Sequence, residues 1–234
     1  MMACTPLLLL PGLLCDDALW EPVFPALADI AAPMVADLTL DSNLADMAAR
    51  ALAAAPERFA LAGLSMGGYV AFEILRQAPH RVLRCALLDT SARPDSAEQT
   101  RRRRLLMALA DTGQFRGVTP RLLPQLVHPS RIAGPIGQAV VAMADRVGRD
   151  AFLRQQRAIM GRPDSRPLLG AMNVPTLVGV GAEDLLTPPE LAEEIAAGIP
   201  GARLVRFEGS GHLPTMEVPE VAGAALRAWL LDAP

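Results

Sequence analysis

Apolar residues in this chain come in short unbroken runs more than in alternation. Leu7 to Leu10, Pro33 to Leu38, Phe59 to Leu64, Val82 to Leu88, Pro175 to Gly181 and Ala202 to Phe207 each read as a strand. Runs this short and continuous suit strands buried on both faces of a sheet. Between them lie helix-like stretches at Asp17 to Ala28, Asn43 to Ala55, Met66 to Gln77, Pro188 to Ala197 and Val218 to Leu231. Pro56 and Pro79 follow two of these and mark their ends. Strands and helices in alternation predict a doubly wound α/β architecture, with a mostly parallel sheet covered on both faces.

From about Ser91 to Met172 the rhythm is lost. This stretch has helical patches at Thr100 to Leu109, Ile136 to Val147 and Asp150 to Met160, but no buried strand. The expected organisation is therefore a core of residues 1–90 and 173–234, with 91–172 inserted between two strands as a helical cap. An insertion there lies beyond the carboxyl ends of the strands, where ligands bind in open α/β sheets. Leu105, Leu106, Met107, Leu122 and Leu123 are expected to pack mostly between cap helices, with the remainder lining an apolar pocket.

Composition narrows the function classes. About half of the 234 residues are apolar and 20% are charged, so a sizeable core is expected. The formal net charge of −3 argues against a general nucleic-acid binder. Every basic residue other than histidine is arginine, which removes Schiff-base and P-loop lysine chemistry. Cys4, Cys15 and Cys85 are odd in number and scattered, and read as buried free thiols of a reducing compartment. Met1 to Leu14 lacks a basic leader and is broken by Pro6, Pro11 and Gly12, so it reads as a strand and turn, not as a signal peptide. No run has the ~18 apolar residues of a membrane span. A cytoplasmic location follows as the expectation.

The chemistry is carried by Gly63-Leu64-Ser65-Met66-Gly67, a G-x-S-x-G pentapeptide set between an apolar strand and a helix. A match by chance is expected about 0.04 times in a chain of this glycine and serine content. The glycines are needed because the chain nearly folds onto itself while the serine hydroxyl is held clear of the sheet. A serine needs a base to take its proton, and the chain holds three histidines. His80 falls at the opposite end of the sheet, and nothing around His128 supports a role. His212, in Gly209-Ser210-Gly211-His212, follows a strand at its carboxyl end, where a base can meet Ser65. Asp184, one strand and one helix earlier, is placed to orient the base, with Glu183 and Asp89 as rivals. The order is then Ser65, Asp184, His212. The oxyanion requires two backbone N–H donors, and Met66 and Leu13 are the candidates.

These residues resemble the α/β-hydrolase superfamily. The resemblance rests on Leu7-Leu8-Leu9-Leu10-Pro11-Gly12, Trp20, Gly63 to Gly68, Gly181-Ala182-Glu183-Asp184 and Ser210-Gly211-His212. It spans about residues 5–90 and 173–231 and is closest to small bacterial esterases and relatives that cleave lactones or carbon–carbon bonds. The chain departs from the pattern at Pro11, where many relatives carry a histidine that supports the oxyanion loop. Superfamily members with an elbow aspartate are dehalogenases and epoxide hydrolases, and Ser65 argues against those.

The resulting expectation is a serine hydrolase that cleaves a small carboxylic ester, lactone or thioester through an acyl-enzyme, on a substrate with an apolar acyl or alcohol part. No cofactor, metal, nucleic acid or membrane is required, and a homo-oligomer is left open. Two other readings stand beside it. One is a carbon–carbon bond hydrolase or lyase using the Ser65–His212 pair as a base, to which the run Arg101 to Arg104 points because such substrates often carry carboxylates. The other is a binding protein on a hydrolase scaffold.

Overall fold

In a computed structural model of the chain, residues 4–232 are described, with Gln114 described in its backbone alone. Met1 to Ala3, the start of the stretch read as strand and turn, lie outside the described residues. The strands are β1 (Thr5–Leu10), β2 (Ala31–Val35), β3 (Phe59–Leu64), β4 (Val82–Leu88), β5 (Thr176–Gly181) and β6 (Arg203–Phe207). They form one parallel sheet in the order β2-β1-β3-β4-β5-β6. β3 and β5 are buried at every residue, as central strands with helices on both faces must be. β2 is an edge strand, which is where Pro33 is tolerated in a sheet.

The helices are α1 (Phe24–Leu27), α2 (Leu44–Ala54), α3 (Met66–Gln77), α4 (Ala97–Leu109), α5 (Leu123–Leu126), α6 (Pro135–Met160), α7 (Arg166–Leu169), α8 (Pro189–Gly198), α9 (Pro214–Glu217) and α10 (Pro219–Leu231). Two apolar clusters fill the two faces of the sheet. One gathers Leu7, Leu9, Trp20 and Trp229, and the other Leu8, Leu10, Phe59, Phe72 and Ile195. Alternate leucines of β1 thus point to opposite faces, and every one of them is buried. A transverse feature fixes the site. β1 leads to β2 on one side, and β3 then pairs with β1 on the other, so the strand order reverses between β1 and β3. Such a switch point opens a crevice at the carboxyl ends of the strands.

Local differences from the sequence reading have local causes. The expected helix over Asp17 to Ala28 is two 3-10 turns, Asp17–Leu19 and Glu21–Val23, and then α1. Pro22 and Pro25 deny the stretch a continuous ladder of hydrogen bonds. The two helices expected over 136–147 and 150–160 run together as α6, broken at Gly148, which sits at φ 78°. α4 begins three residues early because Ser96 and Gln99 close a capping box. Cys4 is exposed and Cys15 and Cys85 are buried, so the expectation of buried thiols fails at Cys4. Between β4 and β5 the described residues contain helices and turns alone. Among the described residues no helix is long and apolar enough to cross a membrane.

The tightest point in the fold is where α3 leaves β3. A Cβ on Gly67 would lie 2.0 Å from the carbonyl oxygen of Leu10, and one on Gly63 2.4 Å from that of Gly67. Both obstacles are backbone and cannot swing aside. Gly67→Ala is therefore expected to cost roughly 3 kcal/mol or more, a fall in Tm of roughly 6–12 °C in a domain of this size, readable by circular dichroism. An unchanged Tm would show that β1 and α3 are not packed this closely.

Candidate active site

Ser65 is the residue between β3 and α3, with φ 55° and ψ −115°. A side chain at positive φ is strained, and the surroundings hold it there. Its N–H donates to Leu88 O at 2.9 Å, and Thr90 Oγ1 donates to its carbonyl at 2.8 Å. The turn is thus clamped to the end of β4, and the side chain projects into the crevice.

His212 follows β6. Its Nε2 lies 2.9 Å from Ser65 Oγ, and its Nδ1 lies 2.7 Å from Asp184 Oδ2. With the ring proton on Nδ1, the imidazole donates to the carboxylate and accepts from the serine hydroxyl. The close approach of two loops makes this possible. A Cβ on Gly181, at the end of β5, would fall 1.7 Å from Gly211 O, so only a glycine there lets the His212 loop lie against the strand. The three predicted residues are therefore brought together, while His80 is exposed and His128 turns to Ser130 Oγ at 2.8 Å.

The rival acids are separated by their surroundings. Glu183 accepts from the N–H of Ser210 at 3.1 Å and fastens the histidine loop. Asp184 accepts four bonds: from His212, from Thr187 Oγ1 at 2.7 Å, and from the N–H groups of Leu186 at 2.8 Å and Thr187 at 3.1 Å. Burial opposes its ionisation, but the charge and hydrogen bond of His212, with the hydrogen bonds from Thr187 and from Leu186 N–H, outweigh this and hold the carboxyl below the usual range. Asp89, at the end of β4 with φ 44°, accepts from Gly181 N–H at 2.8 Å, and its other oxygen meets no donor. Burial, reinforced by the nearby charge of Asp184, pushes its carboxyl well above the usual range despite the Gly181 bond. Of the two neighbouring carboxyls, Asp89 therefore keeps its proton to the higher pH.

Asp89, Asp184 and His212 are also a group of three side chains whose ligand atoms lie within 4.8 Å of one another. The donor set fits a proton path better than a cation. Asp184 and His212 already spend their facing atoms on each other, and burial opposes charge on Asp89.

A cavity of about 750 Å³ opens over Ser65 and His212 and is lined by Leu13, Tyr69, Phe115 and Leu186 among others. The N–H groups of Met66 and Leu13 have no acceptor among the described residues. The next residue, Leu14, instead donates to Gln155 Oε1 at 3.0 Å, and Gln155 Nε2 donates to Leu38 O at 3.2 Å. Gln155, wholly buried on α6, fixes the loop that the Pro11 departure left without a supporting histidine. Cys15 also lines the cavity, but burial, with the charge of Asp16, pushes its thiol up to about 12, which leaves it inert beside Ser65.

Several contributors gave no signal in the sequence. Thr187 and Gln155 sit in stretches without a motif. Glu217 is buried and accepts from Leu213 N–H at 3.1 Å, from Ser210 Oγ at 3.3 Å and from His128 N–H at 2.6 Å. The leucines expected between cap helices divide. Leu123 is buried and Leu122 half-buried, whereas Leu105 is 62% and Leu106 38% exposed, because α4 has no buried residue. Leu106 faces the cavity.

Known proteins are similar to this chain over much of its length. Residues 7–225 match the model of the alpha/beta hydrolase family. A pimeloyl-[acyl-carrier protein] methyl ester esterase of Neisseria meningitidis serogroup C is 31% identical over 171 residues, which cover 70% of this chain and 66% of that protein. The same enzyme of serogroup A is matched over 58% of its length, so the chain aligns with two thirds or less of these curated relatives. A thermophilic esterase from Thermogutta terrifontis superimposes with a TM-score of 0.86 at 31% identity, covering 97% of this chain and 89% of that one. An enol-lactonase from Burkholderia xenovorans LB400 shares the fold, with a TM-score of 0.85 at 23% identity over 98% and 92% of the two chains. With its sheet order, its serine at the strand-to-helix turn and a family match over nearly its whole length, the chain belongs to the alpha/beta hydrolase family.

Proposed function

We propose that the protein is a serine hydrolase that cleaves a small-molecule carboxylic ester, lactones and thioesters included, through an acyl-enzyme. The observation that carries this reading is the continuous path from Ser65 Oγ through His212 to Asp184, at 2.9 and 2.7 Å, on the floor of a large cavity. Ser65 Oγ attacks the ester carbonyl as His212 Nε2 takes its proton. The carbonyl oxygen gains the negative charge and is held by the N–H groups of Met66 and Leu13. His212 then returns the proton to the leaving alcohol, and the Ser65 ester remains. Water repeats the sequence, with His212 taking its proton, and the carboxylic acid leaves as Ser65 is restored. Asp184 holds the ring tautomer and stabilises the imidazolium at each step. Residues 91–172 act as a cap whose helices form the cavity wall and shape the binding of an apolar acyl or alcohol part. That two of the similar proteins are esterases supports the same bond type here.

A fluorophosphonate probe with mass mapping tests the site directly. Stoichiometric labelling at Ser65, together with turnover of p-nitrophenyl acetate and butyrate, is the expected result. A protein inert both to the probe and to a broad ester panel would overturn the reading.

A further inference from the structure

The cavity wall is charged, and the charge is not balanced. Arg93, Arg102, Arg103, Arg116 and Arg162 line it, against one lining carboxylate, Glu98. Behind the wall, Glu194 takes Arg93 in a two-bonded pair at 2.9 and 3.0 Å. Asp95 is shared: Arg103 Nε donates to one of its oxygens at 2.9 Å, and Arg162 Nη1 donates to the other. Arg102 reaches the neutral Gln125 at 3.2 Å, and Arg116 meets no carboxylate among the described residues. Even with Glu98 counted, two positive charges remain around one cavity in a chain whose overall charge is −3.

The Asp95 cluster is built and not merely solvated. The side chains of Asp95 and Arg162 are 1% and 4% exposed, and that of Arg103 is 20% exposed. Arg162 lies 4.5 Å over the ring of Tyr69 and donates from Nε to Arg93 O at 2.9 Å. Arg103 is further held by Gln156 Oε1 at 2.9 Å. One Nη of each guanidinium has no partner among the described residues, although both side chains line the cavity. Two buried cations on one carboxylate are costly unless a further anion joins them. Tyr69 lies one helical turn beyond Ser65 on α3, so this cluster stands beside the nucleophile.

We infer that this wall is a carboxylate subsite, and that the substrate is an ester whose acyl or alcohol part ends in a carboxylate received by Arg103 and Arg162, with Arg102 drawing it in. The inference rests on the reading of Ser65 as the reacting end of the cavity. A planar carboxylate offers two oxygens to the two free Nη groups. Low-dielectric walls strengthen the attraction relative to open water.

The test is binding to the full chain carrying Ser65→Ala, measured by calorimetry. The probes are monoethyl esters of linear dicarboxylic acids of increasing length, each against its neutral diethyl ester. The expected result is a monoester bound roughly tenfold or more tighter than its diester at the favoured length, an advantage that shrinks as salt is raised and falls roughly tenfold on Arg103→Gln. Should Arg103→Gln fail to fold, Arg102→Gln on the exposed side of α4 takes its place, with a smaller loss and a weaker salt dependence expected. Equal affinities for monoester and diester at every length, or an advantage unmoved by salt and by both substitutions, would overturn the inference. These outcomes are independent of turnover. An active esterase with no charge preference would lose the subsite alone, and a carboxylate-selective protein that cleaves no ester would lose the proposed reaction alone.

Discussion

Ser65→Ala is expected to lower kcat for p-nitrophenyl butyrate by about 10⁴-fold or more, while the protein keeps its Tm within a few degrees. The two halves of this expectation have separate causes. The hydroxyl makes one side-chain hydrogen bond, to His212, and gives none to cap α3. The bonds that hold the turn run through the backbone of Ser65, to Leu88 and from Thr90, and survive in alanine. Alanine bears the φ of 55° no worse than serine. What is lost is the atom that, in the proposed reaction, becomes bonded to the acyl group. Equal rates in the two proteins would mean surface or contaminant chemistry. A fall in Tm matching the fall in rate would mean that the variant had unfolded, not that it had lost a nucleophile.

The second large effect separates two aspartates that sit side by side. Asp184→Asn is expected to lower kcat at neutral pH on the order of 10⁴-fold. An amide nitrogen facing Nδ1 would favour the ring tautomer with its proton on Nε2, which cannot accept from Ser65. Asp89→Asn is expected to leave kcat within a few-fold, because His212 bonds Asp184 and not Asp89, burial favours the uncharged form of Asp89, and the amide oxygen can still accept from Gly181 N–H. It should also raise Tm at neutral pH. The carboxyl of Asp89 keeps its proton to a higher pH in the folded chain than in the unfolded one. The folded state therefore binds more protons, and wild-type stability falls as pH rises out of the ordinary carboxylate range. The variant lacks that slope, so its advantage is largest at neutral pH and disappears in acid. Asp184 runs the other way. Its carboxyl is lowered on folding, so its contribution is complete at neutral pH and is lost as pH falls through and below the ordinary carboxylate range. Thermal melts from pH 4 to 8 with both variants would read these slopes. A loss of kcat in Asp89→Asn as large as in Asp184→Asn would make Asp89 the residue that orients His212.

The parts of this architecture that could be read from sequence are those specified locally. The central strands announce themselves because a strand covered on both faces is buried at every position and nearly all apolar, as β3 and β5 are. Ser65 was legible because its turn needs small residues two positions to either side, and backbone at 2.0 and 2.4 Å is the reason. Asp184 and Glu183 are adjacent carboxylates on one loop. What sorts them is that one faces His212 and the other faces Ser210 N–H, a fact of tertiary direction. Gln155 was invisible for a like reason: it serves Leu14 from 141 positions away, on a helix whose buried residues are mostly apolar. The division of α4 leucines was misread because four arginines and an apolar triplet do not reveal which side of an isolated helix meets protein. None of them is fully covered.

The bonds around Glu217 bear on how freely this scaffold can be recombined. The main-chain N–H of His212 donates to Leu126 O at 3.0 Å, the N–H of His128 donates to Glu217, and a Cβ on Gly211 would come within 3.0 Å of the backbone at Val127 and His128. His212, the proposed general base, is therefore seated partly on residues 126–128, inside the segment between β4 and β5. That stretch is no detachable cassette. A chimaera that imports another protein's helices between β4 and β5 to change specificity must carry a matching carbonyl and N–H to these two positions, or it will exchange selectivity for a misplaced imidazole.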